Sequence, residues 1–157
     1  MKKEIALIGF GGNVFANTLS KLLKKGLSVN VLVPNPEHVM LEDSNLTVSH
    51  LDLYDKKALT DSLEGYNTVI IAFETDLTDH DMNDLVLQHY NEIVNAVIAA
   101  SVVRLIVVGG KYSEEFYTLD LRRREHLDWV FISTEGNYPK YAYKQAVGPT
   151  VHAAIYA

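Results

Sequence analysis

The sequence contains no cysteine. Thiol catalysis, disulfide frameworks and cysteine-ligated zinc are therefore excluded, and the absence fits a reducing, cytoplasmic setting. Basic residues are also in short supply, 14 Lys and Arg against 20 Asp and Glu, which gives a formal charge of −6. A nucleic-acid binder normally carries a basic patch or stripe, so none is expected as a partner. No apolar run is long enough to span a membrane: the most apolar stretch, from Ala96 to Val108, is short and is broken by Arg104. Met1-Lys2-Lys3 opens like a secretory signal. Glu4 and the glycines from Gly9 then interrupt the apolar run, and no small-residue cleavage site follows, so the segment is expected to be a first strand. Asn45-Leu46-Thr47 matches a glycosylation sequon, a chance match in a cytoplasmic protein. No Gly-x-Ser-x-Gly elbow occurs, which argues against that class of hydrolase.

Apolar content is ample, at nearly half of the 157 residues, and suits one domain with a proper core. Short apolar runs alternate with longer amphipathic ones. Ile5–Ile8 reads as a strand, then Asn13–Lys25 as a helix with Phe15, Leu19, Leu22 and Leu23 on one face and Gly26 as its stop. Val29–Val33 is a second strand, closed by Pro34-Asn35-Pro36, and Leu46–His50 a third. A short helix is expected over Tyr54–Leu63, with Asp55 as cap, and a strongly apolar strand over Thr68–Phe73. Asp81–Ala100 is the longest predicted helix, its stripe formed by Val86, Tyr90, Ile93, Val94, Val97 and Ile98. Leu105–Val108 is a fifth strand, and a helix near Thr118–Glu125 leads to a sixth, Trp129–Ile132.

Strands that are apolar throughout, rather than alternately, are buried on both faces. The pattern predicts a three-layer α/β Rossmann fold, a doubly wound parallel sheet ordered 3-2-1-4-5-6. The whole of 1–157 is expected to be a single domain, with a core over 1–133 and a short C-terminal tail over 134–157. The tail holds Tyr138, Tyr141, Tyr143 and Tyr156 without a clear pattern. Its aromatics suit either internal packing or a homo-oligomer interface.

The main functional signal is Gly9-Phe10-Gly11-Gly12-Asn13, placed between the first strand and the first helix. A phosphate there would meet backbone N–H donors and the positive end of the helix, and the glycines would give it room. The motif is incomplete. Read as G-x-x-G-x-x-G it ends on Phe15, and read as G-x-G-x-x-G it ends on Val14, so the glycine that permits close helix–sheet packing is missing. Ala16 could serve if the loop has one extra residue. The alternative is a tight turn that binds nothing.

Taken in order, several stretches resemble atypical short-chain dehydrogenases/reductases, in particular the NmrA-like and NADH-flavin-reductase-like NAD(P)-binding proteins. They are Ile5-Ala6-Leu7-Ile8-Gly9, Val31-Leu32-Val33-Pro34-Asn35-Pro36-Glu37, His50-Leu51-Asp52-Leu53, Leu63-Glu64-Gly65-Tyr66-Asn67-Thr68-Val69-Ile70, Val103-Arg104-Leu105-Ile106-Val107-Val108-Gly109-Gly110 and Leu127-Asp128-Trp129-Val130-Phe131. The resemblance implies NAD or NADP as cofactor, without a choice between them. It implies that Gly9, Phe10, Gly11, Gly12, Asn13 and Val14 hold the pyrophosphate, that Pro34 and Asn35 lie by the adenosine ribose, and that Asp52 and Leu53 flank the adenine. Ala72 and Phe73 would border the nicotinamide ribose, with Gly109 and Gly110 beneath the nicotinamide. Asp52 also reads as a cap before the Tyr54 helix, and Asn35 as a turn residue between prolines.

Three departures matter. The position after the second strand, Pro34, carries neither the arginine that meets a 2′-phosphate nor the acid that meets a ribose diol. None of the nine tyrosines has a lysine four residues on, so the Tyr-x-x-x-Lys proton-transfer pair is absent. Lys111 and Tyr112 are the only weak catalytic candidates, and both also read as loop residues. The region that would wall a substrate pocket is short. An oxidoreductase-like protein reducing a flavin or quinone-like acceptor, a non-catalytic redox sensor and a Rossmann remnant acting through protein contacts are all open at this point. No metal is expected. Glu74, Asp76, Asp79, Asp81 and Asp84 match no metal loop and suit a helix N-terminus, the histidines lack ligand spacing, and Arg122-Arg123-Arg124 reads as a solvated face.

Overall fold

A computed structural model describes residues 3–9, 13–72, 80–109, 119–124, 127–133 and 141–143. The elements run β1 (Lys3–Gly9), α1 (Asn13–Lys24), β2 (Val29–Val33), β3 (Leu46–His50), α2 (Lys56–Leu63), β4 (Tyr66–Ala72), α3 (His80–Ala99), β5 (Arg104–Gly109), β6 (Asp128–Ser133) and β7 (Tyr141–Tyr143). Residues 119–122 add a helical turn before β6. The sheet is ordered β3-β2-β1-β4-β5-β6-β7. β1 to β6 are parallel, as expected, and β7 adds an antiparallel edge beside β6.

Alternate residues of the buried strands feed two separate cores. Leu7, Val31, Ile70, Ile106 and Val130 point to one face, where α1 contributes Phe15, Leu19 and Leu22. Ala6, Leu32, Val69, Leu105 and Trp129 point to the other, against α2 and α3. Burial on both faces explains why these strands have no polar alternation.

The helix ends follow from local chemistry. Gly26 (φ 76°) takes the left-handed position after α1. Its N–H donates to the Leu23 carbonyl at 2.9 Å while that of Leu27 donates back to Leu22 at 3.3 Å. This is the Schellman arrangement. No atom would obstruct a Cβ at Gly26, so its conformation alone calls for glycine. Asp55 caps α2, accepting from the Ala58 N–H at 3.1 Å, and the helix therefore starts at Lys56 rather than at Tyr54.

α3 ends in the same Schellman pattern, with Ser101→Ile98 and Val102→Val97 hydrogen bonds of 3.1 and 3.2 Å. Here a serine occupies the left-handed position (φ 58°), which costs an L-residue about 1–2 kcal/mol. Ser101→Gly is expected to raise stability by about 0.5–1 kcal/mol, after the extra flexibility of glycine in the unfolded chain offsets part of the relief. A denaturant melt would check it; an unchanged midpoint would mean that the turn holds no strain.

Ile98 departs from expectation. Predicted in the core stripe, it is 45% exposed. The buried arc of α3 runs instead from Ala96 and His89 through Ile93 and Val97 to Val94, and Ile98 lies past its edge. The Val86 side chain lies outside the described residues. No described helix is long and apolar enough to cross a membrane.

Candidate functional site

A doubly wound sheet has one place where successive connections leave in opposite directions, and the crevice above it is where such folds take ligands. Here that place lies between β1 and β4, since the chain runs outward through β2 and β3 on one side and through β5 and β6 on the other. The residues ending the strands there are small. Gly9 is the register partner of Ala72, and Ala72 that of Val108, one residue before Gly109. Gly109 in turn faces Ser133 across β5 and β6. Gly9, Ala72 and Gly109 thus leave the centre of the carboxyl edge without bulky side chains.

α1 begins at Asn13, four residues past the end of β1, and no acidic residue lies in its first turn. Its positive end is therefore unneutralised by the helix itself, which suits an anion. Gly9 is fixed by packing. A Cβ there would lie 2.2 Å from Cδ2 of Phe15 and 3.0 Å from the Ala72 carbonyl oxygen. Phe15, expected both on the apolar face of the first helix and in the place of the missing third glycine, is buried on that face and seated over Gly9. The usual arrangement is inverted: the close approach of helix to strand is made by a small residue on the strand.

At the β2–β3 side of the carboxyl edge, Val33 closes β2 and its carbonyl accepts from the Leu51 N–H at 2.9 Å, drawing the ends of β2 and β3 together. Asn35 precedes a single 3-10 turn, Pro36–His38, and its carbonyl accepts from the His38 N–H at 3.0 Å. Asp52 is half-buried, and one carboxyl oxygen accepts from the Tyr54 N–H at 3.0 Å. The cap of α2 is Asp55, so Asp52 shapes a turn instead. Leu53 is buried in the core. Tyr54 is exposed and meets the buried His89 ring edge-on, with centroids 5.9 Å apart.

Structure brings Gly9, Asn13, Val14, Ala72 and Gly109 to one end of the sheet and Pro34, Asn35, Asp52 and Leu53 to the neighbouring strand ends. Phe10, Gly11, Gly12, Phe73, Gly110, Lys111 and Tyr112 lie outside the described residues. So do Glu74, Asp76 and Asp79 and the side chains of Asp81 and Asp84. Among the described residues no cluster of His, Asp or Glu could hold a metal. Arg124 is committed elsewhere, to Asn95 at 2.9 Å and to Asp120, which also accepts from Tyr90 at 3.0 Å.

What decides the family is a match between residues 11–119 and the model of the NAD(P)H-binding family. The chain belongs to that family. The cofactor is accordingly NAD or NADP, and the described residues fit it: small strand ends at the switch point and a helix N-terminus with no acid in its first turn. Curated proteins give no sequence match. Among solved structures, an epimerase-like protein of Bacteroides thetaiotaomicron is 27% identical with a TM-score of 0.68, over 83% of this chain and 70% of that one. The triphenylmethane reductase of a Citrobacter species, solved with NADP(H), is 21% identical (TM-score 0.64; 82% of this chain, 48% of that one). The NADPH-dependent quinone oxidoreductase of Escherichia coli, solved with NADPH, is 18% identical (TM-score 0.62; 80% and 46%). The chain spans about half the length of these two reductases.

Proposed function

We propose that the chain is a single oxidoreductase-type domain that binds NAD(P)H across its carboxyl edge and passes a hydride to a flavin or quinone-like acceptor. The observation that carries this reading is the line of small strand ends, Gly9, Ala72 and Gly109, beside the acid-free start of α1. On this reading the pyrophosphate is held from Gly9 to Val14, the adenosine lies between Pro34-Asn35 and Asp52-Leu53, and the nicotinamide half lies along Ala72, Phe73, Gly109 and Gly110. Bound nicotinamide supplies the hydride. The protein's part is to orient the ring and to keep the diphosphate in place.

The acceptor class follows from what the chain lacks. The Tyr-x-x-x-Lys pair that would protonate a carbonyl substrate is absent from the sequence. A conjugated acceptor tolerates this, because the electrons enter a delocalised system and protonation can come from solvent. Dye and quinone reduction by the two reductases of similar fold is in keeping with that class. Lys111 and Tyr112 stay as weak candidates for an acid/base role.

Calorimetric titration with NADPH, NADH, NADP and NAD, followed by NADPH oxidation with flavin, quinone and aldehyde panels, tests both halves. Micromolar binding of at least one nucleotide, about −8 kcal/mol, together with turnover of a conjugated acceptor, is the expected result. Binding without turnover on any acceptor would remove the enzyme reading. It would leave a redox sensor, which requires unequal affinity for oxidised and reduced cofactor. No binding of all four would overturn the assignment of the site.

A further inference from the structure

The connection from β2 to β3 lacks the helix that a doubly wound sheet ordinarily places there. Residues 34–45 carry only the Pro36–His38 3-10 turn and the Asp43–Asn45 turn that leads into β3. As a result a cleft of about 600 Å³ lies open between α1 and this segment, with Phe15, Leu19, Val33 and Val39 among its walls. At its lip two consecutive large apolar residues face solvent, Met40 at 86% and Leu41 at 49% exposure. An open apolar hollow beside a protruding apolar pair is a shape that complements itself.

The exposed charges that flank the two walls are opposite in sign. On α1, Lys24 continues the row of Ala16 and Ser20 that lines the cleft, and Lys21 flanks it. On the facing segment, Glu37, Glu42 and Asp43 are exposed around the lip. Among the described residues none of these five forms an ion pair. In a two-fold interface the same patch serves both subunits, so a contact from wall to lip occurs twice. We infer that this cleft is a self-association surface: two copies exchange Met40 and Leu41 into each other's clefts, with the lysine wall of each set against the acidic lip of the other. The cleft adjoins the proposed adenosine site, with which it shares Pro34 and Asn35, and a second copy suits its α1 wall and lip better than an unrelated partner because both halves of the match are on one chain. With an overall charge of −6, association needs such local pairing to outweigh general repulsion.

Sedimentation velocity on the full chain, from low micromolar to hundreds of micromolar, tests the inference. A species of twice the monomer mass is expected to grow with concentration and to weaken in high salt. Met40→Glu with Leu41→Glu is expected to give monomer throughout. So is the pair Lys21→Glu and Lys24→Glu, and so is the pair Glu37→Lys and Glu42→Lys. Combining the two charge reversals is expected to restore the dimer. All these positions are exposed, so thermal midpoints should stay near that of the parent chain. A parent chain that is monomeric at the highest concentration, or a dimer indifferent to Met40 and Leu41, would overturn the proposal, as would failure of the combined reversal to restore association.

Discussion

Replacing Gly9 with alanine is expected to cost about 1–3 kcal/mol of stability, the range for forcing an extra methyl into a packed core, and to weaken nucleotide binding by at least about tenfold. The added Cβ would sit 2.2 Å from Cδ2 of Phe15 and 3.0 Å from the Ala72 carbonyl oxygen. The second contact cannot relax cheaply, because β4 is held on both sides by β1 and β5. The first can, by moving Phe15 and with it the first turn of α1, and this is the turn that the proposed pyrophosphate contacts. Stability and binding should therefore fall together. Phe15→Leu, which shortens the side chain, is expected to be mildly destabilising alone but to recover part of the loss in the Gly9→Ala background. A double-mutant cycle should give a coupling of about 0.5–3 kcal/mol, as for residues in contact. Additive effects would mean that Gly9 is required for something other than room for Phe15.

That contact also marks how far the sequence could be read. β2 and β3 are legible to the residue because turn-forming residues bound them, Pro34 after one and the Asp43–Asn45 turn before the other. β1 and β4 extend beyond their apolar runs. Lys3 pairs in register with Tyr66, and pairing holds polar strand ends that hydropathy alone assigns to loops. β7 has no apolar run of its own. It exists by pairing with Val130, Phe131 and Ile132 of β6, a long-range contact with no local signal. The absence of a helix between β2 and β3 is written in Pro34-Asn35-Pro36, yet the cleft that it leaves depends on where α1 lies. For the site, glycines announce a place where backbone must come close to something. Whether that something is a phosphate or Phe15 is decided by packing across the sheet, and here Gly9 meets Phe15 while the same junction keeps an acid-free helix start.

Asn13→Asp is expected to separate those two roles by moving stability and binding in opposite directions. The side chains are nearly the same size, and position 13 is the exposed first residue of α1. A carboxylate there interacts favourably with the helix dipole, which is worth about 0.3–1 kcal/mol, so the thermal midpoint should hold or rise. The same charge would lie beside the proposed pyrophosphate. Two unit charges about 4 Å apart repel by about 1 kcal/mol in water and by about 4 kcal/mol where the effective dielectric falls to about 20. A loss of at least about tenfold in affinity for NADPH and NADH alike follows, shrinking as salt screens the charges. Isothermal titration at low and moderate ionic strength, beside a thermal melt, makes the measurement. A protein that gains stability and binds as before would place the diphosphate away from α1 and remove the basis for assigning Gly9 through Val14 to it. A protein that loses both would show Asn13 to be a structural cap instead. Only a stabilised, salt-sensitive weak binder matches an anion held at the start of this helix.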